Sequence, residues 1–276
     1  MLSCQSADAP EAKRGIGMGK MEEYNIYGGF AAVYDLFMDD IPYDDWFRYI
    51  RKILERQGIR DGAVVDLACG TGEITWRLAD AGYQVTGVDL SEEMLMAARE
   101  KCDDKVLLVQ QDMRKLELAR QVKAMVCICD SMNYICEEED LQQVFGRVNT
   151  YLEKDGIFLF DMKTEYFYRE VLGNRTIADN RENASYIWEN IYHEEEKKNE
   201  YLLTVYELAD DERDLFVRTD ELHCQKAYSP EIVVNCLRQQ GFSKVEVYEA
   251  LTFEKPSDQS ERIYFVAYKS YTNESN

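Results

Sequence analysis

From Tyr43 onward the apolar residues Trp46, Phe47, Ile50, Ile53 and Leu54 recur at three- and four-residue spacing, and Gly58 follows. That spacing predicts an amphipathic helix with its stop. The period then changes. Residues 63–68 (A-V-V-D-L-A) are a short β-branched run, C-G-T-G follows, and Ile74, Leu78 and Ala81 resume a helical spacing closed by Gly82. The reading is strand, tight turn, helix. The unit repeats as 84–89 then 91–101, 106–109 then a short irregular stretch, 122–129 then 141–152, and finally 156–161. Such alternation predicts a parallel sheet with helices on both faces, joined by right-handed crossovers. Ser91, with Glu92 and Glu93 in the first turn, fits a helix N-cap with favourable dipole charges.

After Asp161 the pattern switches. Residues 185–193, 201–208 and 215–228 alternate or cluster β-formers between charged turns (E-E-E-K-K-N, A-D-D-E-R-D), which predicts antiparallel hairpins. A segment as long as 163–228 exceeds a plain loop and reads as an inserted antiparallel β sub-domain. Ser229-Pro230 then starts a helix to Leu237, and 245–248 and 263–268 supply two last strands, read as an edge hairpin. The expected organisation is a small, polar, mobile segment over 1–23, a core over 24–162, the insertion over 163–228, and the end of the core over 229–270. Met1, Met18 and Met21 are alternative starts. The fold class is therefore α/β: a Rossmann-like seven-stranded sheet with an inserted antiparallel sub-domain.

Charge narrows the partners. With 32 Lys+Arg against 53 Asp+Glu in 276 residues the net charge is −21. A nucleic-acid binder needs cations along the phosphates, so DNA and RNA are not expected partners; small molecules, cationic amines or a basic protein are. The longest apolar runs, 124–129 and 157–160, fall far short of the ~20 residues that cross a bilayer. Residues 1–14 place polar and charged groups where a signal peptide needs an apolar stretch, so a cytoplasmic location is expected. The eight cysteines include no C-x-x-C pair and read as reduced thiols acting as small hydrophobes. Cys127 and Cys129 share a strand face, but only two histidines exist in the whole chain, so no metal site is expected.

The stretch V-V-D-L-A-C-G-T-G-E (64–73) carries the chemistry: glycines at the end of the first strand let backbone approach a ligand at a helix N-terminus. Asp89 ends the second strand 17 residues after Gly72, placed to accept both hydroxyls of a ribose. Together they point to an adenosine-containing cofactor. The third position of G-x-G-x-x-G is Thr75, so a pyrophosphate fingerprint is incomplete. That gap, and the lack of a Tyr-x-x-x-Lys pair, weigh against an NAD-dependent oxidoreductase.

The sequence D-L-A-C-G-T-G (66–72) resembles the first motif of the class I S-adenosylmethionine-dependent methyltransferases, and the resemblance extends over 24–161. It implies that Asp66, Ala68, Gly70 and Gly72 surround the methionyl part of S-adenosyl-L-methionine, that Asp89 binds the ribose, and that Leu90 and Met94 flank the adenine. Q-Q-D-M (110–113) is similar to the third-strand motif, implying a hydrogen bond from the adenine amino group to Asp112 and a backbone amide from Met113; the alternative is that Asp112 caps a short helix. C-D-S-M-N-Y (129–134) is similar to the motif that faces the methyl group, which makes Asp130, Ser131, Asn133 and Tyr134 candidates, with Ser131 equally readable as a turn former.

Y-x-x-F-A-x-V-Y-D (27–35), F-D-M-K-T (160–164), Y-I-W-E-N (186–190) and E-L-H-C-Q-K-A-Y (221–228) further resemble a bacterial small-molecule subgroup that includes amino-sugar N-methyltransferases with an antiparallel insertion after the fifth strand. His223 is a candidate base or a hydrogen-bonded strand histidine. His193, beside three glutamates, reads as a turn residue. Tyr27, Phe30 and Tyr34 read as a lid over the cofactor or as core aromatics, and Trp188 as an acceptor-pocket wall or hairpin packing. The expectation is methyl transfer from S-adenosyl-L-methionine to an N or O nucleophile of a small molecule by a monomer or homodimer. Two rivals remain: the NAD-dependent oxidoreductase, and a cofactor-binding module acting on a protein partner.

Overall fold

The computed structural model of the protein describes residues 30–270. In chain order these form α1 (Tyr34–Phe37), α2 (Tyr43–Arg56), β1 (Gly62–Leu67), α3 (Glu73–Asp80), β2 (Tyr83–Asp89), α4 (Glu92–Lys101), β3 (Leu107–Gln110), β4 (Val122–Cys127), α5 (Glu138–Tyr151) and β5 (Leu152–Lys163). There follow β6 (Thr176–Asn180), β7 (Ala184–His193), β8 (Lys198–Asp210), β9 (Leu215–Lys226), α6 (Pro230–Gln239), β10 (Lys244–Glu249) and β11 (Arg262–Tyr268).

The main sheet has seven strands in the order β10-β11-β5-β4-β1-β2-β3. β1 to β5 run parallel, while β11 pairs antiparallel with both β5 and β10. The expected edge hairpin is thus present, but β11 sits inside the sheet and only β10 lies at the rim. Period-two alternation divides the strands between two cores. Val64, Val126, Ile157 and Leu159 pack with Ile50, Leu54 and Leu78 of α2 and α3. Val65, Leu67, Met125, Phe158 and Phe160 pack with Val144, Phe145, Val233 and Leu237 of α5 and α6. Both faces are covered, which is why these strands read as continuous apolar runs. Each fully buried Val, Leu or Phe contributes about 1.5–3 kcal/mol.

The chain winds outward from β1 to β3, then crosses back to β4 on the other side of β1. Between β1 and β4 the winding reverses, and the crevice beyond their carboxyl ends is where open α/β sheets bind ligands.

The second sheet is antiparallel, in the order β6-β7-β8-β9. Its ladder carries β8 out to Lys198 and Asp210, because the polar flanks Lys198, Asn199 and Glu200 pair with Lys226, Gln225 and Cys224 of β9; alternation alone placed that strand at 201–208. β6, pairing with β7 from Thr176 to Asn180, has too little apolar period to be read from sequence. Phe30 and Val33 pack against Ala184, Tyr201, Leu203 and Val205, strapping the start of the described chain to this sheet. Among the described residues no helix is long and apolar enough to cross a membrane.

Candidate active site

A cavity of about 840 Å³ opens at the carboxyl ends of β1, β2, β3 and β4, and β8 and β9 close its far side. It lies in the upper part of the range for small-molecule and cofactor sites. At its β1–β2 end Gly70 adopts a left-handed φ of +54°, and a Cβ there would meet no atom within 4 Å, so bare backbone faces open space. The Gly70 amide donates to Asp89 Oδ2 (2.8 Å) and the Ser91 amide to Oδ1 (2.9 Å). These two bonds hold the Asp89 carboxylate in one orientation on the cavity wall; burial nevertheless pushes its pKa above the usual carboxylate range. Ser91 also caps α4, accepting from the Met94 amide at 3.1 Å.

Asp66 is buried on the same wall and accepts from the Thr75 hydroxyl at 2.6 Å. Burial, with a smaller push from Asp89, lifts its pKa to about 7. Thr75 stands where a dinucleotide fingerprint would have its third glycine, so the residue that breaks the fingerprint is the one that holds Asp66. Ala68, at φ 54°, lies on the wall, as do the apolar residues Leu90, Met94 and Met113. Gly72 does not line the cavity. It caps α3 at φ +83°, and a Cβ there would come within 3.1 Å of Ala98 Cβ and 3.3 Å of Cys102 Sγ; its glycine identity serves the packing of α3 against α4. Asp112 is on the wall, but its two oxygens accept from the backbone amide and guanidinium of Arg114 at 2.7–3.0 Å, capping the 3-10 turn Met113–Lys115. Those bonds outweigh burial and hold its pKa low.

The β4 end differs from the sequence reading. Asp130 is not among the cavity-lining residues. It takes a left-handed φ of 53° at the start of the 3-10 turn Ser131–Tyr134 and points into a buried charge cluster. Arg262 Nη2 donates to its Oδ1 (2.7 Å), Gln225 Nε2 to its Oδ2 (3.0 Å), and Lys163 Nζ lies 3.4 Å from Oδ2. Arg262 also pairs with buried Asp161. Against burial, the Lys163 and Arg262 charges keep Asp130 ionised, below the usual range. Asn133 likewise turns inward, bridging the Lys163 and Lys226 backbones at 2.8–3.1 Å. Ser131 remains on the wall, donating to the Ile128 carbonyl.

Tyr134 lines the cavity, and its hydroxyl meets Tyr201 Oη (2.5 Å) and His223 Nδ1 (3.2 Å). His223 Nε2 bonds Glu221 Oε2 (3.0 Å), and Glu221 Oε1 accepts from the Phe30 amide (2.9 Å). His223 is only 1% exposed and does not line the cavity; Tyr134 stands between them. Tyr201 stacks on the imidazole at 4.6 Å between ring centroids, and burial holds its phenol well above the usual range. Sequence reading missed Glu221, Tyr201 and Arg262. One signal for Glu221 was available: Glu221, His223 and Gln225 alternate on a single face of β9, and that polar face is the buried one.

Tyr34 lines the cavity, with its hydroxyl 3.9 Å from Cys129 Sγ, while Phe30 is buried. Tyr27 lies outside the described residues. Trp188 packs on Tyr201 at 5.0 Å and does not line the cavity. His193 bonds Glu200 at 3.2 Å.

Residues 64–156 match the family described as "Methyltransferase domain". The chain is 39% identical over 250 residues to YqeM of Bacillus subtilis, whose name places it among methyltransferases; the match covers 90% of this chain and 98% of that one. The chain therefore belongs to the methyltransferases. Its fold superposes on an S-adenosylmethionine-dependent methyltransferase of Clostridium acetobutylicum with a TM-score of 0.76 at 28% identity, covering 88% of this chain and 99% of the other. A dTDP-3-amino-3,6-dideoxy-alpha-D-glucopyranose N,N-dimethyltransferase of Streptomyces fradiae is 30% identical over 112 residues, 41% of this chain and 44% of that one.

Proposed function

We propose that the protein transfers a methyl group from S-adenosyl-L-methionine to an N or O nucleophile of a small molecule. The observation that carries this reading is the Asp89 carboxylate, fixed on the cavity wall by the Gly70 and Ser91 amides and aimed where a ribose diol would be held. Leu90, Met94 and Met113 would flank the adenine, and the open backbone at Gly70 admits the methionyl end beside Asp66 and Ala68. With its carboxylate taken by Arg114, Asp112 would shape the adenine site and leave polar recognition to backbone. The bound cofactor supplies an activated methyl on a sulfonium. Protein groups then accelerate transfer chiefly by holding the nucleophile in line with it.

Among the described residues the cavity wall carries two cationic side chains, Arg114 and Lys198, and both have carboxylate partners. Glu196 and Glu200 are on the same wall, an electrostatic setting that favours a cationic amine acceptor. Transfer to an ammonium or a hydroxyl requires removal of its proton. In this reading Tyr134 takes that proton as its own passes to His223 Nδ1, and Glu221 balances the imidazolium charge. Tyr34 would line the acceptor's path, whereas His223 acts through Tyr134 and Asp130 supports the site from beneath. The similarity to a dTDP-amino-sugar N,N-dimethyltransferase supports the small-molecule part of the reading.

The test is a parallel calorimetric titration with S-adenosyl-L-methionine, S-adenosylhomocysteine and NADH. Micromolar binding of the two sulfur nucleosides is expected; binding of NADH alone overturns the reading. With a labelled methyl group and a panel of amines and alcohols, Tyr134→Phe should then slow turnover by roughly 10²–10⁴-fold with cofactor affinity unchanged.

A further inference from the structure

The thiols of Cys136 and Cys224 lie 3.4 Å apart although 88 positions separate them in the chain. Both are free, and both line the cavity. Cys136 follows the 3-10 turn Ser131–Tyr134, and its thiol also reaches the Cys224 carbonyl at 3.5 Å. Cys224 projects from β9 on the face opposite His223, toward the cavity. Cys69 and Cys129 line the cavity as well, but among the described residues no thiol pair involving them is hydrogen-bonded, while Cys127 and Cys236 are buried away from it. A disulfide needs sulfurs about 2.05 Å apart, so the pair must close by little more than an ångström, and the segment that moves is a loop between a turn and α5.

We propose that Cys136 and Cys224 are a redox modification site on the cavity wall, a dithiol that hydrogen peroxide converts to a disulfide. The Cys224 thiolate attacks the peroxide O–O bond, takes one oxygen as a sulfenic acid and releases the other as water. The Cys136 sulfur then displaces that hydroxyl as a second water and forms the S–S bond. The two thiols together lose two electrons and two protons, and the peroxide is reduced to two waters. The order of attack follows the hydrogen bond that the Cys136 thiol donates to Cys224 Sγ. The hydrogen bond from Cys136 holds Cys224 below the ordinary thiol range against the opposing effect of burial, Lys198 assists, and the same bond drives Cys136 up. The bridge would join the turn that carries Tyr134 to the strand that carries His223, tying the two sheets across the cavity.

The experiment treats the full-length protein with hydrogen peroxide, titrates free thiols in denaturant and maps linked peptides by mass spectrometry. Two of the eight thiols should disappear, return with dithiothreitol and be found in one peptide joining Cys136 to Cys224. The oxidised form should also melt at a higher temperature, since the cross-link closes a long loop. In Cys136→Ser the linked peptide should vanish and Cys224 should be trapped by dimedone. Phenylarsine oxide, which bridges adjacent thiols, should bind the wild type in one-to-one ratio and neither Cys136→Ser nor Cys224→Ser. Separate oxidation of the two sulfurs to sulfinic acids, a different pairing, or no loss at these positions would overturn the proposal. None of these readouts depends on methyl transfer.

Discussion

The two ends of the cavity are built in different ways. At the β1–β2 end the decisive contacts are short in sequence: 9 positions separate Asp66 from Thr75, and 19 separate Gly70 from Asp89. At the β4–β9 end they are long: 89 positions from Tyr134 to His223, 95 from Asp130 to Gln225, and 132 from Asp130 to Arg262. The first end is a strand–turn–helix motif that folds its own site. The second exists only once β9 and β11 have been brought beside the 3-10 turn after β4. The first presents backbone amides and one oriented carboxylate; the second presents side chains wired through buried charges.

The sharpest way to break the far end is to remove its buried cation. Arg262→Met leaves Asp130 and Asp161 facing each other with Lys163, among the described residues, as the one remaining charge partner, and should cost about 3–5 kcal/mol of stability, read as a lowered urea midpoint. A loss under 1 kcal/mol would show that the cluster does not hold this end together.

The near end carries its own liability in Asp66. The folded protein keeps the Asp66 proton up to about pH 7, whereas an unfolded chain releases it near 4. Stability therefore falls as pH rises through that window. Asp66→Asn keeps an acceptor for Thr75 and removes this contribution to the slope, so at pH 8 the variant should be more stable than wild type by on the order of 2–4 kcal/mol. Parallel denaturation curves for the two proteins from pH 4 to 8 would contradict the assignment.

The smallest of the three effects tests the near end as a binding surface. Asp89→Ala should weaken S-adenosylhomocysteine binding by about 1–3 kcal/mol while leaving the Tyr134–His223–Glu221 chain intact. Calorimetry reads the affinity, and 15N NMR of the two histidine rings reads the chain. A shift of the His223 signals as large as the change in affinity would mean that the two ends are not separable.

Much of the first end was legible. The residues 66–72, Ser91 and Asp89 act through backbone conformation and local hydrogen bonds, which residue type and spacing constrain directly. Even Thr75, read only as a missing glycine, marked the right place. Asp130 shows where legibility stopped. It stands next to cavity-lining Cys129 and Ser131, and only a left-handed backbone turn together with Arg262, Lys163 and Gln225 sends its side chain into the core. His223 was singled out by its rarity and its motif, but the side of β9 it occupies was not readable, because Leu222 and Cys224 offer an equally plausible inward face. Strand β6 was invisible for a related reason: T-I-A-D-N is too short and polar, and it is ordered by the ladder with β7.

By itself, then, the sequence determined the alternating strands and helices, and the glycine turn with its partner carboxylate on which the proposed cofactor site rests, since all of these depend on periods of two and 3.6 and on contacts within a few tens of residues. Only the tertiary structure decided which polar residues of β9 and of the turn after β4 face the cavity, that Tyr134, His223 and Glu221 form one chain, and that Cys136 meets Cys224. Those facts depend on the register and direction of strands some ninety residues apart, a relation that no local pattern encodes.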